Sequence, residues 1–153
     1  MAIQFLDERL SVHRNNSTGT EAVTTTPLLI GDIGLQTVAA VSAGNSGLVR
    51  VALTGIAGIA FGIEETANIT LTIERNGTGT AGTGTVIYTD MFFIGDSTFD
   101  IPPISVVAGD FPPASVVAAG EIRYSLFISA DVDTGVTLMG PAVFNGSASA
   151  GTT

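Results

Sequence analysis

The chain has 153 residues, a length typical of one domain that buries a core of its own. It contains no cysteine, so disulfide bonds, thiolate metal sites and thiol nucleophiles are excluded. Five arginines, no lysine and 14 acidic residues give a net charge of −9, which disfavours binding to nucleic acid or to anionic membranes.

Residues 1–20 are predicted to form an N-terminal arm and hinge. The arm, residues 1–14, has acidic residues where a secretory signal needs an apolar run, so we expect synthesis in the cytosol without a signal peptide. Asn15–Thr20 has the polar composition of a flexible hinge. Two interpretations are open: a first strand packed on its own domain, or an arm that adds a strand to a neighbouring subunit. In the second, the assembly residues are the apolar ones of the arm, Ile3, Phe5, Leu10 and Val12.

Residues 21–146 are predicted to form the β-sandwich domain, because alternation of apolar and polar side chains with a period of two recurs there, while helical spacing is almost absent. The alternation is clearest in Ala67–Arg75 and Glu121–Ser129. Further strand candidates, bounded by Gly, Asn, Asp or Pro, are Glu21–Ile30, Leu35–Val41, Leu48–Thr54, Ile56–Ile63, Thr85–Phe93 and Gly135–Phe144. About eight short strands predict an all-β, two-sheet antiparallel sandwich, either a jelly roll or an immunoglobulin-like arrangement. Residues 147–153 are small and polar, and we expect them to form a flexible C-terminal tail.

Two stretches are apolar on both faces, Leu48–Ile63 and Thr85–Phe93. In the second, strict alternation places Ile87, Met91 and Phe93 on the face opposite Val86, Tyr88 and Phe92. A strand that is apolar on both faces needs a cover for its second face, either a loop of the same subunit or a neighbouring copy. With a copy as the cover, Ile87, Met91 and Phe93 are assembly residues.

One segment is duplicated. Asp100–Gly109 and Asp110–Ala119 are identical at seven of ten positions, and each contains Pro-Pro followed by Ser-Val-Val-Ala. Paired prolines indicate loops or sheet edges, and each Ser-Val-Val-Ala is a candidate brief strand.

No catalytic, cofactor or metal site is predicted. Gly77–Gly82 matches the G-x-G-x-x-G pattern of dinucleotide sites, but a strand follows where that motif requires a helix, so we expect a hairpin loop. His13 is the only histidine, which leaves neither a nucleophile–base pair nor a zinc set. The acidic pairs in Asp96–Asp100 and Asp131–Asp133 lie in predicted turns, where Asp usually binds its own backbone. The alternative is a calcium- or carbohydrate-binding module built from these loops.

Glycan attachment is an open possibility. Asn-X-Ser/Thr sequons occur at Asn15, Asn16, Asn68, Asn76 and Asn145, and threonine-rich strands can accept O-linked sugar.

Three segments carry a family likeness: Gly79–Thr89, Phe111–Tyr124 and Gly140–Ser147. In their Thr/Gly/Val-rich texture the chain resembles small surface proteins of Gram-positive endospores, namely the tumour-necrosis-factor-like jelly-roll domains of exosporium proteins and the subunits of spore appendages. The resemblance implies an eight-stranded jelly roll that trimerises or stacks into fibres, with no catalytic residues. The collagen-like stalk of the exosporium glycoproteins and the arm cysteines of appendage subunits are missing, so an arm here would hold by strand pairing and packing.

The sequence therefore predicts a non-enzymatic structural subunit that self-assembles as a trimer or fibre on a spore or cell surface. Its predicted partners are copies of itself, with no nucleic acid and no membrane insertion. A viral or phage capsid or fibre jelly roll is a further alternative, since it makes the same prediction of assembly.

Overall fold

In a computed structural model, which describes residues 2–62, 66–95 and 102–151, nine strands form two antiparallel sheets. The strands are β1 (Gln4–Arg14), β2 (Glu21–Ala22), β3 (Leu28–Gln36), β4 (Val49–Phe61), β5 (Ala67–Arg75), β6 (Thr85–Ile94), β7 (Ile104–Asp110), β8 (Glu121–Ala130) and β9 (Val136–Ala150). Two short helices, α1 (Val38–Ser42) and α2 (Ala114–Val117), and one 3-10 turn (Ser46–Leu48) lie between them.

The strand order is that of a jelly roll. The five-stranded sheet has the order β1-β9-β4-β7, with the two-residue β2 also paired to β9, and the four-stranded sheet has the order β3-β8-β5-β6. The eight long strands pair in a nested way, since the first pairs with the last, β3 with β8, β4 with β7, and β5 with β6. The predicted two-sheet antiparallel sandwich is confirmed, and the nesting distinguishes a jelly roll from an immunoglobulin arrangement.

The core lies between the sheets because alternate residues of each strand point inward. In β5 the inward residues are Ala67, Ile69, Leu71 and Ile73, and in β8 they include Tyr124 and Leu126. These two strands match the predicted segments most closely, because each has one apolar and one mainly polar face.

The strand predicted over Leu35–Val41 is wrong beyond Gln36. The chain leaves β3 at Thr37, which is fully buried, and its hydroxyl donates to the carbonyl of Val117 at 2.8 Å. The Thr37 carbonyl accepts the N–H groups of Ala40 and Val41, which starts α1. The predicted strands Leu48–Thr54 and Ile56–Ile63 form one strand, β4, as far as Phe61; Ile63 lies outside the described residues.

The duplicated segment takes two conformations. Ser105–Val107 lies in β7, whereas Ser115–Val117 lies in α2, so only the first copy of the predicted brief strand exists. The difference comes from context. The first copy pairs with β4, and the second follows Pro113, whose carbonyl accepts the N–H groups of Val116 and Val117.

The predicted tail is wrong as far as residue 150, because β9 continues to Ala150 between β1 and β4. Its inward residues there are small because the facing side chains are large. A Cβ atom on Gly146 would lie 2.6 Å from Leu53 and 2.8 Å from Ile33. The small residues that made the segment look disordered are those that allow the two sheets to approach.

The predicted arm is also not detached. Residues 4–14 form β1, an edge strand that pairs with β9 of the same chain, as the first of the two interpretations expects. Part of the predicted hinge is packed as well, since Gly19 is buried and its N–H donates to the carbonyl of Met139 at 3.0 Å.

The glycine-rich loop between β5 and β6 is a hairpin loop, as predicted, and it encloses an internal anion. Glu74 is only 2 % exposed, and its carboxylate accepts the N–H groups of Gly82 at 2.6 Å and Gly84 at 2.9 Å. A run of backbone N–H groups in such a loop commonly binds an anion. Here that anion belongs to the strand that precedes the loop.

A second charged cluster ties the two sheets together. Arg75 of β5 donates to Asp110 of β7 at 2.7 Å, and the buried Tyr124 hydroxyl donates to the same carboxylate at 2.8 Å. Burial, together with the hydrogen bond to Asp110, raises the pKa of Tyr124 far above its ordinary value.

We expect Glu74→Gln to destabilise the protein by about 1–3 kcal/mol, because one of two N–H groups loses its acceptor. The free energy of unfolding from urea titration measures this. Glu8→Gln, at an exposed position, is the matched control and should change stability by less than about 0.5 kcal/mol. Equal effects of the two changes would contradict the role of Glu74.

Asp110→Asn should cost about 3 kcal/mol, since it leaves the guanidinium of Arg75 without its buried counter-charge. Tyr124→Phe removes only one hydrogen bond and should cost about 1 kcal/mol. Thermal unfolding of the two variants beside the parent protein tests this order, and a larger loss for Tyr124→Phe would reverse our interpretation.

Candidate self-association surface

The seven predicted assembly residues fall in two separate places. Ile3, Phe5, Leu10 and Val12 are exposed along the N-terminal segment, on or just before β1 of the five-stranded sheet. Met91 and Phe93 are exposed on β6, at an edge of the four-stranded sheet. The structure therefore keeps the two groups on different sheets.

The face predicted for Ile87 by strict alternation is wrong. Ile73 pairs with Tyr88 and Glu74 pairs with Val86, so Ile87 is the extra residue of a β-bulge. The bulge interrupts the alternation, so that Ile87 packs against the core and Val86 is exposed. Sequence periodicity cannot locate such an extra residue.

The outer face of the five-stranded sheet carries several of the exposed apolar side chains. Leu10 of β1 is 64 % exposed and Val107 of β7 is 77 % exposed, and both lie in one row across the sheet. We call this surface the outer face. Its centre consists of two neighbouring rows of paired residues, and the adjoining rows on the same side of the sheet, which contain Glu8 and Arg50, also belong to it. The two central rows are Leu10, Asn145, Thr54 and Val107, and Val12, Val143, Ile56 and Ser105.

The outer face carries little charge. Among the described residues of β1, β9, β4 and β7 that point this way, only Glu8 and Arg50 are charged. Arg50 lies over the ring of Phe111 with its guanidinium carbon 5.4 Å from the ring centroid. Thr54 and Asn145 satisfy each other through a hydrogen bond between their side chains.

Sequence reasoning missed Val107 and Phe111, both strongly exposed. Val106 and Val107 are adjacent, and only the pairing of β7 with β4 determines which of them points outward. For Phe111 a sequence signal was available, because the Pro-Pro that follows it indicates a loop or a sheet edge.

The inner side of β1 is fastened to the other sheet. The backbone N–H of Gln36 in β3 donates to the Asp7 carboxylate at 2.9 Å, and that of Asp32 donates to the Ser11 hydroxyl at 3.1 Å. Side chains of β1 thus cap backbone donors along β3, the neighbouring edge strand. Burial alone would raise the pKa of Asp7, but hydrogen bonds from Gln36, Arg9 and Glu8 lower it overall.

A latch joins the two ends of the hinge. Glu21 of β2 binds His13 at 2.7 Å and Arg14 at 3.2 Å. The hydrogen bond with His13, helped by Arg14, lowers the pKa of Glu21 below its ordinary value of 4.5. Residues 15–20 therefore form a loop closed at its base.

The outer side of the four-stranded sheet is partly covered by its own chain. Phe127 points away from the core side of β8 and is still only 3 % exposed. The glycine-rich loop lies on this side, because a Cβ on Gly79 would be 2.9 Å from Arg123 and 3.9 Å from Leu29, the residue paired with Phe127. Arg123 holds the loop through the carbonyl of Gly77 at 3.1 Å.

The acidic loop around Asp131–Asp133 uses its carboxylates locally. Asp131 accepts the backbone N–H of Asn68 at 2.8 Å, and Asp133 accepts that of Thr25 at 3.0 Å. Hydrogen bonds from the side chain and the backbone of Asn68 lower the pKa of Asp131, and those from the side chain and the backbone of Thr25 lower the pKa of Asp133. Across residues 2–62, 66–95 and 102–151, no group of three or more His, Asp or Glu is placed to hold a metal ion. Asp96 and Asp100 of the other predicted loop lie outside the described residues.

A shallow groove of about 340 Å³ lies between β1 and β3. Its charged lining residues are Arg9, Asp32 and Glu121, and the last two are already bonded to Arg123 and Gln36. The groove offers neither a free acid–base pair nor an aromatic platform.

In the part of the chain that the structure describes, no helix has the length and apolarity required to cross a membrane.

Comparisons with known proteins reveal likeness of fold only. No family model and no curated protein matches the sequence.

Similar solved structures include that of infectious bursal disease virus, Gx strain, with 10 % sequence identity and a TM-score of 0.48 over 94 % of this chain and 32 % of the viral chain. The structure of the Gt strain of the same virus is similar with 9 % identity and a TM-score of 0.45, over 97 % of this chain and 38 % of the viral chain. Another is the structure of Eiger TNF from S. frugiperda, with 16 % sequence identity and a TM-score of 0.43 over 94 % of this chain and 92 % of the Eiger chain. The chain thus spans about a third of the length of the viral chains.

Proposed function

We propose that this protein is a non-enzymatic structural subunit that self-associates through the outer face of its five-stranded sheet. The observation that carries the proposal is that face itself, where Leu10, Val12 and Val107 are exposed on a continuous, nearly uncharged surface. A lone copy leaves these side chains in water, and patches of this kind commonly mark interaction sites.

The outer face is large enough for a specific contact. Four strands spaced ~4.8 Å apart, with ~9 residues at ~3.4 Å each, give a face of ~19 Å by ~30 Å, or ~570 Å². Two such faces packed together bury ~1,100 Å² in total, which exceeds the ~1,000 Å² expected of a specific interface.

Charge favours a second copy as the occupant. The chain has a net charge of −9, so most approaches of one copy to another are repulsive. Among the residues of the outer face that the structure describes, one acid, Glu8, is balanced by one base, Arg50. This is the approach that costs two copies the least electrostatic repulsion.

Exchange of β1 between copies belongs to the same proposal. In one chain β1 pairs with β9, and a neighbour's β9 offers the same ladder, so an exchanged strand keeps its hydrogen bonds. The hinge then has to open at the latch of His13, Arg14 and Glu21.

We further propose a spore or cell surface as the location. The support is the resemblance in sequence texture to endospore-surface proteins, and such a surface is also where sugar attached at the exposed Asn15 or Asn16 would be found. Immunogold labelling of the organism that makes the protein tests the location, and labelling confined to the cell interior would refute it.

We expect the double variant Leu10→Ser/Val107→Ser to raise the concentration needed for self-association by about tenfold or more, because it removes two apolar contacts. Sedimentation velocity over a concentration series measures this. Val38→Ser, which changes an exposed apolar residue on α1, is the matched control and should leave association unchanged. Unchanged association of the double variant would exclude the outer face.

Acid should release β1 before the rest of the sheet. The pKa values of Asp7 and Glu21 are lowered in the folded state from their ordinary values of 3.8 and 4.5. Their contacts therefore stabilise β1 fully at a pH above those ordinary values, and this stabilisation is lost as the pH falls through the lowered pKa values. Hydrogen exchange, corrected for its intrinsic pH dependence, should show residues 4–14 losing protection at a higher pH than β5. In Glu21→Gln the loss should already be partial at neutral pH. Simultaneous loss of protection in β1 and β5 would contradict this.

A further inference from the structure

The four sheet edges of the sandwich are not equivalent. Where β1 lies beside β3, side chains of Asp7 and Ser11 cap backbone donors of β3. The four-stranded sheet ends on its other side in β6, and within the described residues no strand pairs with the outer edge of β6. Unpaired strand edges are templates for the addition of another strand.

The composition of β6 is that of a strand prone to pairing. Its ten residues include six apolar side chains, two threonines and one tyrosine, and its single charge is Asp90. Three side chains that point outward are exposed, namely Val86, Met91 and Phe93, the last at 71 %. An exposed, long and apolar edge strand is a site where chains associate.

The Asp90 carboxylate occupies this edge. It accepts the backbone N–H of Met91 at 2.8 Å, and it accepts the Tyr88 hydroxyl at 3.2 Å. Because donors alternate between the two sides of an antiparallel strand, we place Met91 among the residues whose N–H and C=O groups face away from β5. The carboxylate fills the position that a partner strand's carbonyl would take.

We infer that the free edge of β6 pairs with β6 of a second copy, antiparallel about a two-fold axis at Met91, and that Asp90 is the group that weakens this pairing. The contact is a second one for the self-assembly proposed above, and in that sense it rests on the proposed function. It uses a different sheet and can be tested separately.

The register follows from two requirements. Directly paired residues of antiparallel strands share a face, and β6 alternates regularly only after the bulge at Ile87. A two-fold axis at Met91 pairs Thr89 with Phe93 of the second copy, and Asp90 with Phe92. An axis at Asp90 would instead place two carboxylates directly opposite each other, which is unfavourable. The axis at Met91 keeps them ~7–8 Å apart on the diagonal.

The absence of cysteine makes this register directly testable. In Met91→Cys the two new thiols would sit on Cα atoms ~5.5 Å apart, within the range that a disulfide bridges. In Thr89→Cys, the matched exposed control, the two copies of residue 89 would be four residues apart along the strands, or ~13 Å, which is too far. Each variant is incubated with oxidised glutathione and run on a non-reducing gel.

We expect a disulfide-linked dimer for Met91→Cys and little or none for Thr89→Cys. Equal yields from the two variants, or no dimer from either, would overturn the pairing. The same cross-link should form when Leu10→Ser/Val107→Ser is added. If the cross-link still forms in this combined variant while self-association through the outer face is lost, the two contacts are independent. If the cross-link is lost as well, the β6 contact depends on the outer face, and the proposal of an independent contact is overturned.

Sedimentation tests the role of Asp90. Asp90→Asn weakens the hydrogen bond to Met91 and removes the charge, so association should occur at a concentration about tenfold lower. Glu121→Gln removes one charge from an exposed position on β8 and serves as the control. An equal effect of both variants would refute a specific role of Asp90, and unchanged association of Asp90→Asn would do the same.

Discussion

The pairing of β9 with strands on both its sides is the interaction on which the structure depends. Residues 136–150 form a ladder with β4 along one edge and with β1 and β2 along the other. This ladder makes one continuous sheet out of segments from both ends of the chain. It holds β1 in place, and it aligns Leu10 with Val107 across four strands. A break in β9 would therefore remove an edge strand and the outer face together.

How much of this fold the sequence predicts depends on how each strand is buried. β5 and β8 were predictable because each has a clearly apolar face toward the core. The end of β9 was not, because its inward residues are glycine and alanine, and their size makes sense only beside the facing Leu53 and Ile33. The second Ser-Val-Val-Ala was equally out of reach, since its helix is set by Pro113 and its twin is held as a strand by β4.

The candidate surface was predictable in part for a related reason. The four apolar residues predicted from the arm are all exposed, whereas Leu6, which is also apolar, packs against the core. Which residues complete the surface depends on strand register, and register is a property of pairs of distant segments. Val107 joins Leu10 only through β4 and β9, and Ile87 leaves the predicted set because of one bulge. The glycine-rich loop is a further example, because the carboxylate that its backbone N–H groups bind comes from Glu74 of the same chain, and only the folded structure brings the two together.

The two proposed contacts together determine what kind of assembly we expect this sandwich to form. A two-fold contact through β6 alone closes after two copies, because both copies use the same edge for it. The outer face belongs to the other sheet, so a dimer joined at β6 still presents two of these faces. If they also pair, each dimer binds two more and growth does not close on itself, which gives a fibre. Without the β6 contact, the outer face alone gives a closed oligomer or a pair. Under this proposal Asp90, whose carboxylate occupies the edge of β6, decides between a finite particle and an extended one.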